Sequence, residues 1–177
     1  MSRSVLLLRA VNVSGRNSVP MARLREALAS AAIVDDVSTY IASGNIICGH
    51  PDDPADACAR VRALIAEEFG VDTPVILRTH DALVASLEAQ PFTGRVEKLL
   101  HAMFLQASPA PGAIDLLRGR LVPGEDIALV GDDLWIDYAD GGVHSTRLTK
   151  AVLDRALGVA GTARNLRTTR RLAELTA

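Results

Sequence analysis

Short apolar runs and amphipathic stretches alternate along this chain in an order that occurs twice. In the first half, strands are predicted at residues 5–8, 37–41, 45–48 and 75–78, and helices at 21–31 and 55–69. The order is therefore βαββαβ. Chains with this order form a four-stranded antiparallel sheet with both helices on one face, so the pattern predicts a ferredoxin-like plait.

The second half of the chain gives the same order with different residues. Strands are predicted at 100–105, 126–130, 134–138 and 161–165, and helices at 111–120 and 146–157. Two further helices, at 81–89 and 168–175, follow the two units. We therefore expect an α+β protein of two tandem ferredoxin-like (βαββαβ) subdomains with antiparallel sheets. The proline- and glycine-bounded break at 91–94 divides it into residues 1–94, with a trailing helix, and 95–177, with a C-terminal helix.

The connection from the first strand to the first helix, residues 9–20, is the best place in this chain to hold an anion. It is rich in turn residues, and Gly15 is the position best suited to positive φ. Ser18 is predicted to cap the helix. Such a loop aims unpaired N–H groups at one point, and the helix dipole adds positive potential there. Arg9 and Arg16 would complete the pocket, although the same residues also suit an ordinary β-to-α connection.

Three stretches of the sequence are similar to motifs of a known family. They are LLRAVNVSGRNSVPM at 7–21, TYIASGN at 39–45 and TARNLRT at 162–168. These stretches resemble the signatures of the bacterial family catalogued as domain of unknown function 1697. The resemblance implies tandem ferredoxin-like subdomains, and it implies no activity. The chain departs from the usual pattern at Ala10 and Ser14, where glycine is common, and at Leu166, where an aromatic residue is common.

Polar residues within these three stretches are the candidate ligand-binding groups. They are Arg9, Asn12, Gly15, Arg16, Asn17 and Ser18 in the first stretch, Tyr40, Ser43 and Asn45 in the second, and Arg164, Asn165 and Arg167 in the third. If the first and third groups meet in the fold, guanidinium and amide groups converge in a way that suits phosphate or carboxylate. The alternative is that the arginines pair with acids and the asparagines cap turns.

The charge distribution agrees with an anionic ligand. Basic residues outnumber acidic ones by five to three in 1–50 and by seven to two in 141–177, whereas 51–140 carries seven basic and sixteen acidic residues. If the two ends of the chain come together, they form one positive region. The acidic remainder makes that region better suited to a small anion than to a long nucleic acid. Separate solvated faces are the alternative.

Signals for metal, cofactor or nucleophilic chemistry are weak. The four histidines lack metal-ligand spacing, and Cys48 and Cys58 form neither a disulfide framework nor a CxxC motif. The sequence has neither a Walker loop nor a GxGxxG motif, so we expect no metal and no cofactor. No histidine is indicated as the base for a serine nucleophile, and the catalytic residue of any reaction is therefore unknown.

The sequence also bears on partners and location. RNA binding by an open sheet needs exposed aromatic residues, and only Tyr40, Phe104, Trp135 and Tyr138 fall on predicted strands, so RNA is disfavoured. No apolar run approaches the length of a membrane span, and no signal-peptide pattern is present, so we expect a cytoplasmic protein without a membrane partner. A monomer and a homodimer are both compatible with the sequence.

The sequence therefore predicts a protein that binds a small anionic, most simply phosphorylated, ligand at the first loop. A protein or RNA interaction module without a small-molecule site is one alternative. An enzyme that acts on a phosphorylated substrate is another.

Overall fold

The computed structural model describes residues 3–177, which form two four-stranded antiparallel sheets and six α-helices. The chain divides into two compact units, one of Met1–Val84 with Arg171–Ala177 and the other of Ala85–Arg170. This division falls within the third helix and again within the last. The subdomain boundary between residues 94 and 95 stays a prediction.

The first unit is built around a central apolar strand. Its elements are β1 (Arg3–Leu8), α1 (Met21–Ala31), β2 (Ser38–Tyr40), β3 (Asn45–Gly49), α2 (Pro54–Phe69) and β4 (Val75–Thr79), followed by the start of α3 (His80–Ala89). The strands pair antiparallel in the order β2-β3-β1-β4. β1 is therefore interior, as its run of apolar residues predicts.

Both helices of the first unit pack against the same face of the sheet. Leu24 and Leu28 of α1 and Val61 and Ile65 of α2 are buried with apolar residues of β1, β3 and β4. The opposite face of β1 is buried as well, because Val5 and Leu7 point away from the helices and are inaccessible. Cys48 and Cys58 are free thiols; Cys48 is buried in this core, and the partly buried Cys58 packs against it.

The second unit repeats the order of elements. They are β5 (Leu100–Leu105), α4 (Ala113–Arg118), β6 (Asp126–Val130), β7 (Asp133–Asp137), α5 (Lys150–Leu157), β8 (Gly161–Asn165) and the first five residues of α6 (Leu166–Thr176). The strand order is β6-β7-β5-β8, again antiparallel throughout. Leu134 and Ile136 face the helices, whereas Trp135 lies on the other face of β7, as the alternation predicts. Trp135 is fully buried and its indole N–H donates to Ser86 Oγ at 3.0 Å.

Several element ends differ from the sequence-based expectation for local reasons. β2 ends at Tyr40 because Ile41 has φ 49°, which is incompatible with a strand. α5 begins at Lys150, four residues later than predicted, because the Thr149 hydroxyl accepts from the N–H of Val152 and caps it. In the described part of the chain, no helix is both long and apolar enough to cross a membrane.

Candidate functional site

Loops that lie far apart in the sequence meet at one end of the first sheet. The strands that flank β1 run antiparallel to it, so its carboxyl end lies beside the amino ends of β3 and β4. The loop 9–20 after β1, the turn 41–44 before β3 and Thr73 before β4 therefore share this end. We call these three segments the loop cluster. It contains all of the candidate residues from the first stretch of the sequence, together with Ser43 from the second.

Asn12 joins two parts of the loop cluster through its side chain. Its amide nitrogen donates to the carbonyl oxygens of Val19 at 2.9 Å and Ala42 at 2.7 Å, while its amide oxygen accepts from the N–H of Val19 at 2.8 Å. Both amide hydrogens and one lone pair are thus used by the backbone. Asn12 therefore holds the loop 9–20 to the turn 41–44, and this leaves its amide little capacity to bind a ligand.

The segment 13–16 forms a small hairpin at the exposed tip of the loop. Val13 and Arg16 form an antiparallel bridge, and the N–H of Arg16 donates to the carbonyl of Val13 at 2.9 Å. The two residues between them, Ser14 and Gly15, have φ of 50° and 74°. Positive φ at both central positions is the geometry of a type I′ turn, which glycine at the second position favours. The predicted role of Gly15 in the turn is confirmed by its backbone.

Asn17, directly after the tip hairpin, also stabilises the loop through a side-chain hydrogen bond. Its φ is 51°, and its amide nitrogen donates to the carbonyl oxygen of Ala10 at 2.9 Å. Asparagine tolerates this left-handed conformation better than most residues, and a local hydrogen bond adds to the preference. Asn17 is therefore a structural residue of the loop, like Asn12.

Thr73 and Gly44 fix the two ends of the loop cluster. The Thr73 hydroxyl accepts from the N–H of Arg9 at 3.0 Å and donates to the Arg9 carbonyl oxygen at 2.8 Å. The Gly44 carbonyl accepts from the N–H of Leu8, and a Cβ built on Gly44 would lie 2.7 Å from the Leu8 Cβ. No local pattern identifies Thr73, because its partner is 64 residues away in the sequence.

The candidates of the second stretch lie in or beside the turn between β2 and β3. Asn45 is fully buried, and its amide nitrogen donates to the Tyr40 carbonyl at 2.9 Å and the Ser43 hydroxyl at 3.2 Å. Tyr40 and Ser43 are partly buried. These bonds shape the turn, which is the structural role that hairpin residues of this kind commonly have.

The amino terminus of α1 has no side-chain cap. Ser18 is not its N-cap, contrary to the prediction: Pro20 occupies the cap position and no side chain bonds the first-turn N–H groups. The first turn also lacks an acidic residue, whereas α2 has Asp53 as its cap, accepting from two N–H groups. Proline at 20 cannot cap because its side chain has no hydrogen-bond acceptor. The unpaired N–H groups and the dipole of α1 therefore make this end positive.

Arg16 adds a formal charge to the loop that precedes this helix. Its guanidinium is exposed and has no hydrogen-bond or ion-pair partner among residues 3–177. The Arg9 side chain is partly buried. The segments 9–20 and 41–44 contain these two arginines and no acidic residue, so the loop cluster carries a net positive charge.

The candidates of the third stretch lie in the second unit. Arg164 on β8 is 7% exposed and donates to the Thr162 hydroxyl at 2.8 Å and the Ala163 carbonyl at 2.9 Å. Burial lowers the pKa of Arg164 to about 10 because removal from water disfavours the charged form. The Asn165 side-chain oxygen accepts from the N–H of Thr168 at 2.9 Å, so Asn165 caps α6. Arg167 is exposed in the first turn of that helix.

A cleft of about 810 Å³ lies at the opposite end of the first sheet, where β1 begins. Its charged lining includes Arg3, Asp36, Asp53 and Arg60. Most of these groups are already engaged, because Arg3 pairs with Asp36, Arg60 pairs with Asp56 and Asp53 caps α2. These four charged groups are thus already engaged, although the buried Nε of Arg3 has no hydrogen-bond partner among residues 3–177.

The remaining groups with possible metal or thiol chemistry are the histidines, acidic residues and two cysteines. Among residues 3–177, no group of three or more His, Cys, Asp or Glu side chains could hold a metal ion. Burial raises the pKa of Cys48 to about 11 and also raises that of Cys58. Both thiols are therefore protonated near neutral pH, which makes them poor nucleophiles.

The chain matches a family of unknown function and is similar in fold to a solved structure. A family model described as "Protein of unknown function (DUF1697)" matches residues 1–135. The chain is similar in structure to the conserved bacterial protein SP0830 from Streptococcus pneumoniae, with a TM-score of 0.77 and 22% sequence identity over 99% of each chain. At that identity the likeness concerns the fold alone. No curated protein matches the chain. The third signature, at 162–168, lies outside the matched residues and stays a prediction.

Proposed function

Since this chain belongs to the DUF1697 family of proteins of unknown function, we propose its function from its own geometry: the loop cluster binds a small anion, most simply a phosphate group. The bound group would lie between the amino terminus of α1 and the guanidinium of Arg16. The proposal concerns the first unit alone.

The observation that carries this proposal is the uncapped amino terminus of α1. The N–H groups of Met21, Ala22 and Arg23 precede the first α-helical hydrogen bond, which runs from Leu24 to the Pro20 carbonyl at 3.0 Å. No side chain caps them and no carboxylate offsets the dipole. Phosphate and sulfate groups bind at helix amino termini of this kind because the N–H groups and the dipole both favour negative charge.

The hydrogen bonds of the loop support different roles for the candidate residues. Asn12 and Asn17 hold the backbone path, so their amides support the site without contacting the ligand. Arg16 supplies the charge, and the exposed Ser18 hydroxyl supplies a further donor. A loop already fixed by its own hydrogen bonds loses little conformational entropy when it binds, which favours affinity.

Two aromatic residues of the second unit disfavour RNA as the ligand. Phe104 and Trp135, both on strands, are fully buried. Stacking of unpaired bases requires exposed rings, so these residues offer no platform. A small anion therefore agrees better with the structure than a single-stranded RNA does.

Titration with inorganic phosphate, followed by calorimetry and thermal melting, tests the proposal. Phosphate at about a hundred times its Kd should stabilise the protein by about 2.7 kcal/mol. Arg16→Gln should weaken phosphate binding. Arg120→Gln is the matched control, because Arg120 is also an exposed arginine without an ion pair among residues 3–177. It lies in the second unit, so its loss should leave phosphate binding unchanged.

Pro20→Asp separates the helix terminus from general charge effects. The new carboxylate would accept from the first-turn N–H groups, as Asp53 does at α2, and should stabilise the fold by about 1 kcal/mol. It would also occupy the proposed site, so phosphate binding should disappear while the melting temperature holds or rises. Unchanged phosphate binding in both Arg16→Gln and Pro20→Asp would refute the proposal. Stabilisation by short RNA alone, with steep salt dependence, would favour the RNA module, and turnover of a phosphorylated compound would favour the enzyme.

We also propose that each unit is a ferredoxin-like plait. The orders β2-β3-β1-β4 and β6-β7-β5-β8, the antiparallel pairing and the βαββαβ sequence of elements support this assignment. In the first unit, α1 and α2 contribute to one core on a single face of the sheet, which is the layer arrangement of that fold.

A further inference from the structure

The loop cluster exposes apolar side chains beside its positive charge. Among residues 3–177, six large apolar side chains are exposed, and two of them are Val13 at 55% and Ile41 at 49%. Val13 lies on the segment 9–20 and Ile41 on the turn 41–44, and neither side chain can form a hydrogen bond.

Val13 and Arg16 share one face of the tip hairpin. They are opposite partners in an antiparallel bridge, and the side chains of opposite residues project to the same side of the ladder. An apolar group and an unpaired guanidinium are therefore neighbours on this face of the described structure. The hairpin is exposed at its tip, because a Cβ placed on Gly15 would meet nothing within 4 Å among residues 3–177.

Ile41 is held near the same hairpin by the Asn12 side chain. Asn12 precedes Val13, and its amide nitrogen reaches the carbonyl of Ala42, which follows Ile41, at 2.7 Å. Val13 follows Asn12 in the sequence and Ile41 precedes Ala42, so each exposed apolar residue is adjacent to one of the two residues that this hydrogen bond joins. The segments that carry them contain two arginines and no carboxylate, so the surface they form is apolar and cationic.

We infer that the anion of the proposed function carries an apolar organic group, so that the ligand is a phosphate monoester of an apolar alcohol. The phosphate would contact Arg16, and the apolar part would cover Val13 and Ile41. Burial of that part against these two side chains adds affinity that inorganic phosphate cannot gain. This inference rests on the proposed function, because it assumes that the loop cluster binds the phosphate.

A series of alkyl phosphates tests the inference directly. Butyl phosphate has three more methylene groups than methyl phosphate, and on a partly open surface these should tighten binding roughly tenfold. Methyl phosphate and inorganic phosphate should bind about equally. Equal affinity for methyl and butyl phosphate would overturn the inference and leave the proposed function intact, whereas failure of every phosphate compound to bind would overturn both.

Ile41→Asn and Val13→Thr remove the apolar surface without removing charge. Asparagine is better suited than isoleucine to the φ of 49° at position 41, so that variant should melt no lower than wild type. Both variants should lose the gain from chain length and keep their affinity for inorganic phosphate. Leu116→Gln is the matched control, because Leu116 is 65% exposed in the second unit and should leave the whole series unchanged. If both loop variants still bind butyl phosphate more tightly than methyl phosphate by the wild-type factor, the inference is overturned as well.

Sedimentation with lipid vesicles distinguishes the two sources of such an ester. Binding to phosphatidylcholine vesicles that contain phosphatidic acid, lost in Ile41→Asn, would assign a lipid headgroup as the source. Binding of soluble alkyl phosphates without vesicle binding would assign a free ester. In either case the shared chemistry of phosphate and apolar group is supported.

Discussion

Replacing Asn12 by alanine should destabilise the first unit far more than the same change at Asn17. Both residues are asparagines with left-handed backbone, at φ of 54° and 51°, so the backbone penalty of alanine is shared. Asn12 makes three side-chain hydrogen bonds, to Val19 twice and to Ala42, whereas Asn17 makes one, to Ala10. At a net value of about 1 kcal/mol for each bond, the two variants should differ by about 2 kcal/mol.

Urea unfolding measures this difference, with Asn12→Gly and Asn17→Gly as companions that remove the left-handed penalty. With an m-value of about 2 kcal/mol/M, Asn12→Ala should unfold at a urea concentration about 1 M lower than Asn17→Ala. The glycine pair should show the same gap, because the gap reflects hydrogen bonds and not backbone strain. If the two alanine variants unfold within about 0.2 M of each other, the Asn12 side chain does not hold the loop cluster together.

Two further outcomes follow from close packing and from a partly buried histidine. Gly44→Ala should lower the free energy of unfolding by about 2–4 kcal/mol, because its Cβ would approach the Leu8 Cβ to 2.7 Å at a φ of +83°. Gly15→Ala, at a φ of +74° with open space around it, should lower it by only about 1 kcal/mol. Equal urea midpoints for the two variants would contradict this. Burial lowers the pKa of His101 from its ordinary 6.5, so the unfolded chain binds the proton more tightly and stability should fall as the pH drops below about 6.5. The melting temperature of the wild type should fall between about pH 7.5 and about pH 5.5. His101→Gln should remove this fall and His144→Gln should keep it. An equal fall in the wild type and both variants would show that other groups cause it.

Elements of this fold are readable from the sequence wherever their cause is local. The run Val5 to Leu8 predicts an interior strand, and the helical spacing of Leu24 and Leu28 predicts the buried face of α1; the structure confirms both. Gly70 and Gly158 end α2 and α5 in left-handed conformation as expected of glycine after a helix. Periodicity and caps depend on residues within a few positions, so the sequence alone carries this information.

Element ends are less predictable where a single residue adopts an unexpected conformation. Ile41 has a β-branched side chain that favours strands, yet its φ is positive and β2 stops before it. The hydrogen bond from Asn12 to the neighbouring Ala42 carbonyl helps to hold the turn in this form, from 30 residues away. Tertiary contacts of this kind override local propensity, and one sequence does not reveal them.

The same distinction explains which parts of the candidate site the sequence could indicate. The asparagines of the loop are candidate ligand donors because amides bind phosphate, but the carbonyls of Val19, Ala42 and Ala10 take up their donors. An amide cannot both close a left-handed loop and bind a ligand with the same hydrogen atoms. What a ligand can reach are the groups that the loop does not consume: the first-turn N–H groups of α1 and the guanidinium of Arg16. Under the proposed function the asparagines contribute the rigidity of the backbone, and affinity for an anion should depend on Asn12 through loop order and on Arg16 through charge.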